Sequence, residues 1–344
     1  MKNSWPTRFG LLVILAGSIC LAGCASLPPR YTNNPPATVV YMVGSVDTAI
    51  KGYSTASANS SSPISTLTYP PSYYGGPVAT DASGQIYVAV GIDPVDPLNL
   101  GNIFIYPPNS AGKATPSRTI DVNSNSVCAL AVDPAGLLYV AINTGSAVDA
   151  PPPMVIVYSA TASGPAIPLR TLQLTNVNPD VKDIAVDGSG NIYVAGVYRS
   201  TGNAIAVYPP TANGFSTPTR TITFGTSTVY GVAVDPVGDV YANVCLGCYG
   251  TDFAIEEFAP GANGDSTPIN TINIPIGSGR RGASGGSVRL DGAGNIFTTM
   301  DFISYETVEH SIVVYGFGPS ATGSAVPTVQ ITPTDWYNTF FAVN

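Results

Sequence analysis

Side chains able to do chemistry near neutral pH are scarce in this 344-residue chain: there is one histidine, His310, and five cysteines. Ser-His-Asp catalysis needs an imidazole beside the nucleophile, and a catalytic zinc draws on several imidazoles or thiolates together. One histidine cannot build a His-rich metal site, so no catalytic residue, metal ligand set or cofactor is assigned. His310 closes the stretch Tyr305-Glu306-Thr-Val-Glu309-His310 and reads as a solvated loop residue just ahead of a strand. Cys245-Leu-Gly-Cys248 is the sharpest local feature. In an oxidising compartment such a pair reads as a local disulfide that stiffens its turn. A haem-attachment motif would need histidine where Tyr249 stands. Cys128 is left over and reads as a buried thiol near the centre of the fold.

Five aspartates recur in one context: Asp81, Asp133, Asp187, Asp235 and Asp291, each followed three residues later by glycine. A carboxylate ring for a cation is one reading. Calcium, however, wants several oxygens converging in one loop, whereas these residues are spread one per repeat. Turn closure explains them better, because an aspartate bonds backbone two residues on and glycine supplies the positive φ that closes a hairpin.

The aspartates therefore mark elements. Each lies between an apolar run such as Ile184-Ala-Val and a second run opening on an aromatic, such as Ile192-Tyr193, and the steps between them are 52, 54, 48 and 56 residues. That is the period of a repeat architecture. A third segment ends in an aromatic, as in Val155-Ile-Val-Tyr158, and a fourth carries Arg-Thr-Ile or a near copy around Thr119, Thr171, Thr221, Thr271 and Thr328. No stretch sustains a 3.6-residue apolar period, so the chain is all-β. A four-stranded sheet of this size cannot bury both faces alone, and radial stacking gives a β-propeller.

The ends of the chain supply a further unit. Phe340-Phe-Ala-Val-Asn344 matches a first segment, while Val39-Val-Tyr41-Met-Val, Ala49-Ile-Lys-Gly-Tyr53 and Ser65-Thr-Leu67 match the other three. The expectation is a six-bladed β-propeller over residues 39–344, with one blade split between 39–70 and 335–344 and closed by pairing the C-terminal strand with the N-terminal three. On these residues the chain resembles the NHL-repeat and TolB-like six-bladed propellers, whose blade signature reads apolar-Ala-Val-Asp-Pro-x-Gly-x-apolar-Tyr-Val-Ala. It departs from many NHL units at Val90, Ile142 and Gly196, where a second aspartate often follows Tyr-Val-Ala.

Residues 1–23 read as an export segment, with Lys2 and Arg8 ahead of an apolar run from Phe9 to Ile19 that is short for a membrane span. Leu21-Ala-Gly-Cys24 looks like a bacterial lipoprotein signal, in which cleavage precedes Cys24 and its thiol is lipidated. Ala25 in the next position implies outer-membrane sorting in a two-membrane cell. Residues 24–38, with Pro28, Pro29, Pro35 and Pro36, read as a semi-extended tether.

Without Lys2 and Arg8 the chain carries 11 basic against 21 acidic residues, which disfavours nucleic acid as a partner. The irregular connections after each second segment emerge on one face, opposite the Asp-x-x-Gly turns, and binding specificity on a rigid scaffold usually resides in such loops. The candidate binding face comprises Cys245, Cys248, Asp252, Arg280 and Arg281, with Tyr198, Tyr305 and His310 nearby; Glu257 in the same repeat stands where other units have Ile or Val. The leading expectation is a monomeric, lipid-anchored binding or scaffolding module that engages envelope proteins. The alternatives are a propeller hydrolase or lyase of lactonase type with a channel metal, and a cell-wall glycan binder.

Overall fold

The computed structural model describes residues 38–44, 48–70, 73–92, 101–122, 124, 126–144, 151–246, 252–276, 280–304, 306, 310–333 and 339–344. They form six antiparallel four-stranded sheets arranged as the blades of a propeller. The innermost strands, in blade order, are Thr339–Val343, Tyr73–Thr80, Val127–Val132, Val177–Val186, Thr228–Val234 and Arg280–Leu290. The first blade is the split one. Val40 pairs with Val343 and Met42 with Phe341, so the tail supplies the inner strand of a sheet whose other three strands come from the head. Thr38, placed by sequence in the tether, is instead buried and donates its hydroxyl to Asp291 Oδ2 at 3.0 Å, so it belongs to the ring.

Each Asp-x-x-Gly turn has the same chemistry. In the third blade Asp133 Oδ1 accepts the amides of Ala135 (2.9 Å) and Leu137 (2.8 Å), Gly136 donates to the Asp133 carbonyl, and Gly136 sits at φ 81°. A side chain there would be strained, which is why glycine recurs. The other oxygen, Oδ2, accepts the Tyr139 hydroxyl at 3.1 Å. The sixth blade has Phe297 instead of tyrosine, and there the Asn295 amide and the Thr38 hydroxyl fill Asp291 Oδ2. In all five turns Oδ1 is thus taken by two backbone amides of the turn itself.

The signature arginine of the fourth strand extends this network. Arg220 donates to the Tyr193 hydroxyl at 3.1 Å and to the Ala262 carbonyl of the next blade at 2.9 Å, stapling neighbours together. The fifth blade has Asn270 there, too short to reach its tyrosine. Glu257 compensates, accepting the Tyr241 hydroxyl at 3.0 Å and the Asn270 amide at 3.2 Å. Glu257 therefore belongs to the turn-face network and not to the loop face.

Six apolar clusters lie between successive blades among the described residues. The outer edges are also occupied. The loop before each fourth strand reaches back to the preceding blade, pairing Gly112 with Leu67, Gly164 with Ile120, Gly264 with Ile222 and Gly323 with Ile272 in parallel bridges. Strand Gly214–Ser216 does the same for Leu172–Leu174, and Asn59–Ser60 covers Gln330–Ile331 to complete the circle. Pairing these edges removes templates for aggregation.

The turns predict an acid sensitivity. Burial pushes the Asp81 carboxyl up, but hydrogen bonds from Ser83, Gln85 and Tyr87 outweigh it and leave Asp81 below the usual carboxylate value. A lowered folded-state value means that the stabilisation is present above the unfolded-state value, near about 3.9, and is lost as pH falls through the lower folded value. Asp81→Asn is expected to flatten the acid limb of the stability curve, measured by urea denaturation between pH 3 and pH 6; an unchanged limb would assign acid unfolding to other groups.

Candidate functional site

Five of the six inner strands carry an irregularity five residues before the turn aspartate. An extra residue, Cys128, Lys182 or Tyr230, interrupts pairing with the second strand in the third, fourth and fifth blades, and the pairs Gly76-Pro77 and Gly286-Ser287 do so in the second and sixth. A bulge bends its strand and re-aims the local side chains. Cys128, Lys182, Tyr230, Gly286 and Ser287 consequently line one cavity of about 460 Å³ at the loop-face mouth of the central channel. Thr299, Met300 and Asp301 of the sixth blade, with Phe340 of the first, complete the wall.

The electrostatics of the mouth are locally matched. Lys182 Nζ lies 2.7 Å from Asp180 Oδ1. His310 opens the third strand of the sixth blade and is exposed, with Nδ1 2.8 Å from Asp301 Oδ2. Burial raises the Asp301 carboxyl above its usual value, partly offset by the hydrogen bond and charge of His310. Burial, reinforced by the Asp183 charge, pushes the Cys128 thiol up to about 12. A thiol held protonated is a poor nucleophile. Among the described residues no three His, Cys, Asp or Glu side chains converge.

Deeper in the channel lies a pair that the sequence reading passed over. Asp183, only 1% exposed, takes two hydrogen bonds from Arg289, at 2.8 Å to Oδ2 and 3.0 Å to Oδ1. Asp183 also accepts the amides of Ile184 (3.0 Å) and Val232 (3.1 Å), and the Arg289 guanidinium sits over the Phe341 ring at 5.8 Å. The interaction joins the fourth, fifth, sixth and first blades between the loop-face cavity and a smaller one of about 180 Å³ on the turn side. A signal was available. Arg289 stands where the other repeats have Ala79, Ala131, Ala185 and Ala233, and Asp183 stands where they have Pro77, Ala129, Gly231 and Ser287.

The sequence-derived face is dispersed. Cys245 is buried at the end of a second strand, and Cys248 lies outside the described residues, so their disulfide remains an expectation. Tyr305 and Cys24 also fall outside. Asp252 is exposed, and its carbonyl accepts the Leu246 amide at 2.7 Å across the neck of the loop. Arg280 and Arg281 lie in the strand Arg280–Leu290, with their backbones paired to Ser304 and Ile303. Tyr198 is not a loop residue available for stacking. Strands Ile192–Tyr198 and Gly202–Tyr208 pair up to Tyr198 and Gly202, and the ring is 5% exposed with its hydroxyl donating to the Val194 carbonyl at 3.0 Å. The hairpin simply continues further than turn residues suggested, carrying Tyr198 into the core. Among the described side chains of the expected face, His310 reaches the rim of the cavity, through Asp301.

The sequence matches no protein-family model and no curated protein. Solved structures do share the fold. A protein of unknown function from Bacteroides caccae aligns with a TM-score of 0.57 at 11% identity, over 90% of this chain and 98% of that one. A luciferin-regenerating enzyme aligns with a TM-score of 0.53 at 14% identity, over 85% of this chain and 91% of that one. At these identities the likeness is one of fold alone, and the six antiparallel blades of the all-β propeller are seen in the chain's own sheets.

Proposed function

We propose that this protein is a binding module, a propeller of the NHL and TolB-like kind that is exported, lipidated on Cys24 and displayed from the outer membrane, and that it captures its ligand at the loop-face channel mouth without transforming it. The observation that carries this reading is the cavity of about 460 Å³ built by a bulge repeated in successive blades. That volume lies within the range of small-molecule sites. The lipoprotein box Leu21-Ala-Gly-Cys24 supports the location. Each buried methylene of a lipid chain contributes about 0.8 kcal/mol, so two or more chains would hold the protein at a bilayer. The partners proposed are envelope glycans or the exposed segments of envelope proteins.

Similarity to a luciferin-regenerating enzyme raises a catalytic alternative, but it is a likeness of fold, and chemistry resides in sites. Among the described residues no three His, Cys, Asp or Glu side chains come together as a set of metal donors.

The test is a thermal-shift screen of the purified protein against saccharides, peptides, carboxylates, amines and divalent ions, repeated on Ser284→Trp, which fills the cavity from its wall. Ligands are expected to raise the melting temperature of the parent and to lose that effect on a cooperatively folded Ser284→Trp protein. Hits that stabilise both proteins equally would move the site elsewhere. Conversion of a hit to product would replace the binding reading with an enzymatic one.

A further inference from the structure

Building on the reading of the loop-face cavity as a binding seat, we infer that its ligand is an uncharged polyhydroxy compound, a small saccharide. The first reason is an incomplete hydrogen-bond inventory in the wall. Thr299 lines the cavity and is 3% exposed, yet its Oγ1 has no hydrogen-bond partner in the protein. Behind the same wall Asn243, fully buried, donates Nδ2 to Thr298 Oγ1 at 2.6 Å while its Oδ1 accepts nothing. Buried polar atoms without partners each cost about 1–3 kcal/mol, so the Thr299 hydroxyl on the cavity wall points to a bonding partner that comes from outside the chain.

Gly285 and Gly286 keep this part of the wall bare. A Cβ on Gly286 would overlap Thr299 Oγ1, and one on Gly285 would overlap Asn243 Oδ1. A hydroxyl both donates and accepts, whereas an amide oxygen only accepts. Of the two, Thr299 lines the cavity, and a ligand hydroxyl can both donate to its Oγ1 and accept from it.

The second reason is charge. Lys182 is matched by Asp180 and Asp301 by His310, so a carboxylate, phosphate or ammonium ligand would have to break an existing pair to find its counter-ion. The third is the apolar part of the lining. Tyr230 of the fifth blade and Phe340 of the first present aromatic surface to the same space in which Ser284 and Ser287 present hydroxyls. Sugars match this combination, having C–H faces for aromatic rings and hydroxyl edges for oxygen acceptors. A divalent ion would find no converging donors among the described residues, and a purely apolar ligand would leave Thr299 unbonded.

Isothermal titration of the purified protein with maltose, cellobiose and chitobiose tests the assignment, with glucuronate, glucosamine and glucose 6-phosphate as charged counterparts. At least one neutral disaccharide is expected to bind in the millimolar range or better, and the charged sugars more weakly. Thr299→Val removes the orphan hydroxyl at constant shape; it should leave the melting temperature unchanged or raised and weaken the disaccharide at least about tenfold. Tyr230→Ala should weaken it similarly. No binding of any neutral disaccharide, tighter binding of the charged sugars, or full affinity in both variants would overturn the saccharide assignment. Charged ligands that bind the parent and are lost in Ser284→Trp would leave the binding seat standing and remove only the sugar.

Discussion

A protein lacking residues 339–344 is expected to lose its cooperative unfolding transition. Those residues supply the inner strand of the first blade, pairing with Val40 to Gly44, and they bury Phe341, Ala342 and Val343 to 1%, 2% and 9% exposure. Phe341 packs in the cluster that holds Met42, Phe297 and Val314, so its loss opens the interface between the first and sixth blades as well as the sheet itself. Truncating one buried phenylalanine typically costs about 3–5 kcal/mol, and globular proteins have only about 5–15 kcal/mol in total. Phe341→Ala is therefore the milder version and should lower stability by about 3–5 kcal/mol in urea denaturation. Removal of the whole strand also leaves Val39–Gly44 as the unpaired inner edge of its sheet. Calorimetry of the truncated protein reads the outcome directly: a melt superimposable on the parent would mean that the ring does not close through this strand.

The second large effect is expected at Asp183. Replacing it with alanine removes both acceptors of the Arg289 guanidinium and the acceptors of the Ile184 and Val232 amides at once. Removing one member of a buried pair typically costs about 3–5 kcal/mol, because the remaining charge is left without compensation. Arg289 retains a bond to the Val288 carbonyl and some solvent contact, which places the expected loss toward the lower end of that range. Replacing both partners by apolar residues of similar volume, Asp183→Leu with Arg289→Met, should recover much of the loss. A double-mutant cycle by chemical denaturation separates the outcomes. Additive single effects would show that the two side chains do not act as a unit. The pair is better understood as setting the register of four blades around the channel than as a source of stability, since buried ion pairs gain little over well-packed apolar residues.

The loop-face mouth and the ion pair divide the channel into different chemical environments. On the turn side, the lining is mainly Ala, Val, Leu and Ile from the ends of the inner strands, with Arg289 as its charged member. On the loop side, the bulges bring a cysteine, a lysine and a tyrosine from three consecutive blades to one rim. A bulge recurs at the same offset from the turn aspartate in five of the six blades, so a repeated scaffold feature supplies a variable position in each of those five. Such an arrangement lets the rim change without disturbing the turn networks of Asp, Tyr and Arg on the opposite face.

The residue pattern alone determined the strand content, the six blades, and the closure of the ring by the C-terminal strand on the N-terminal three, because turn closure and strand alternation are local properties repeated at a fixed period. It also set Cys128 near the centre of the fold, where it lines the loop-face mouth. What only the tertiary structure decided was which departures from the repeat meet. Asp183 and Arg289 are 106 residues apart and touch only because the ring brings non-adjacent blades to a common axis. Glu257 drew attention as an anomaly, but its meaning depended on Asn270 being too short across the sheet. Tyr198 was misplaced for the converse reason: the end of a hairpin depends on how far pairing continues, and that is set by packing beneath the loop more than by its turn residues.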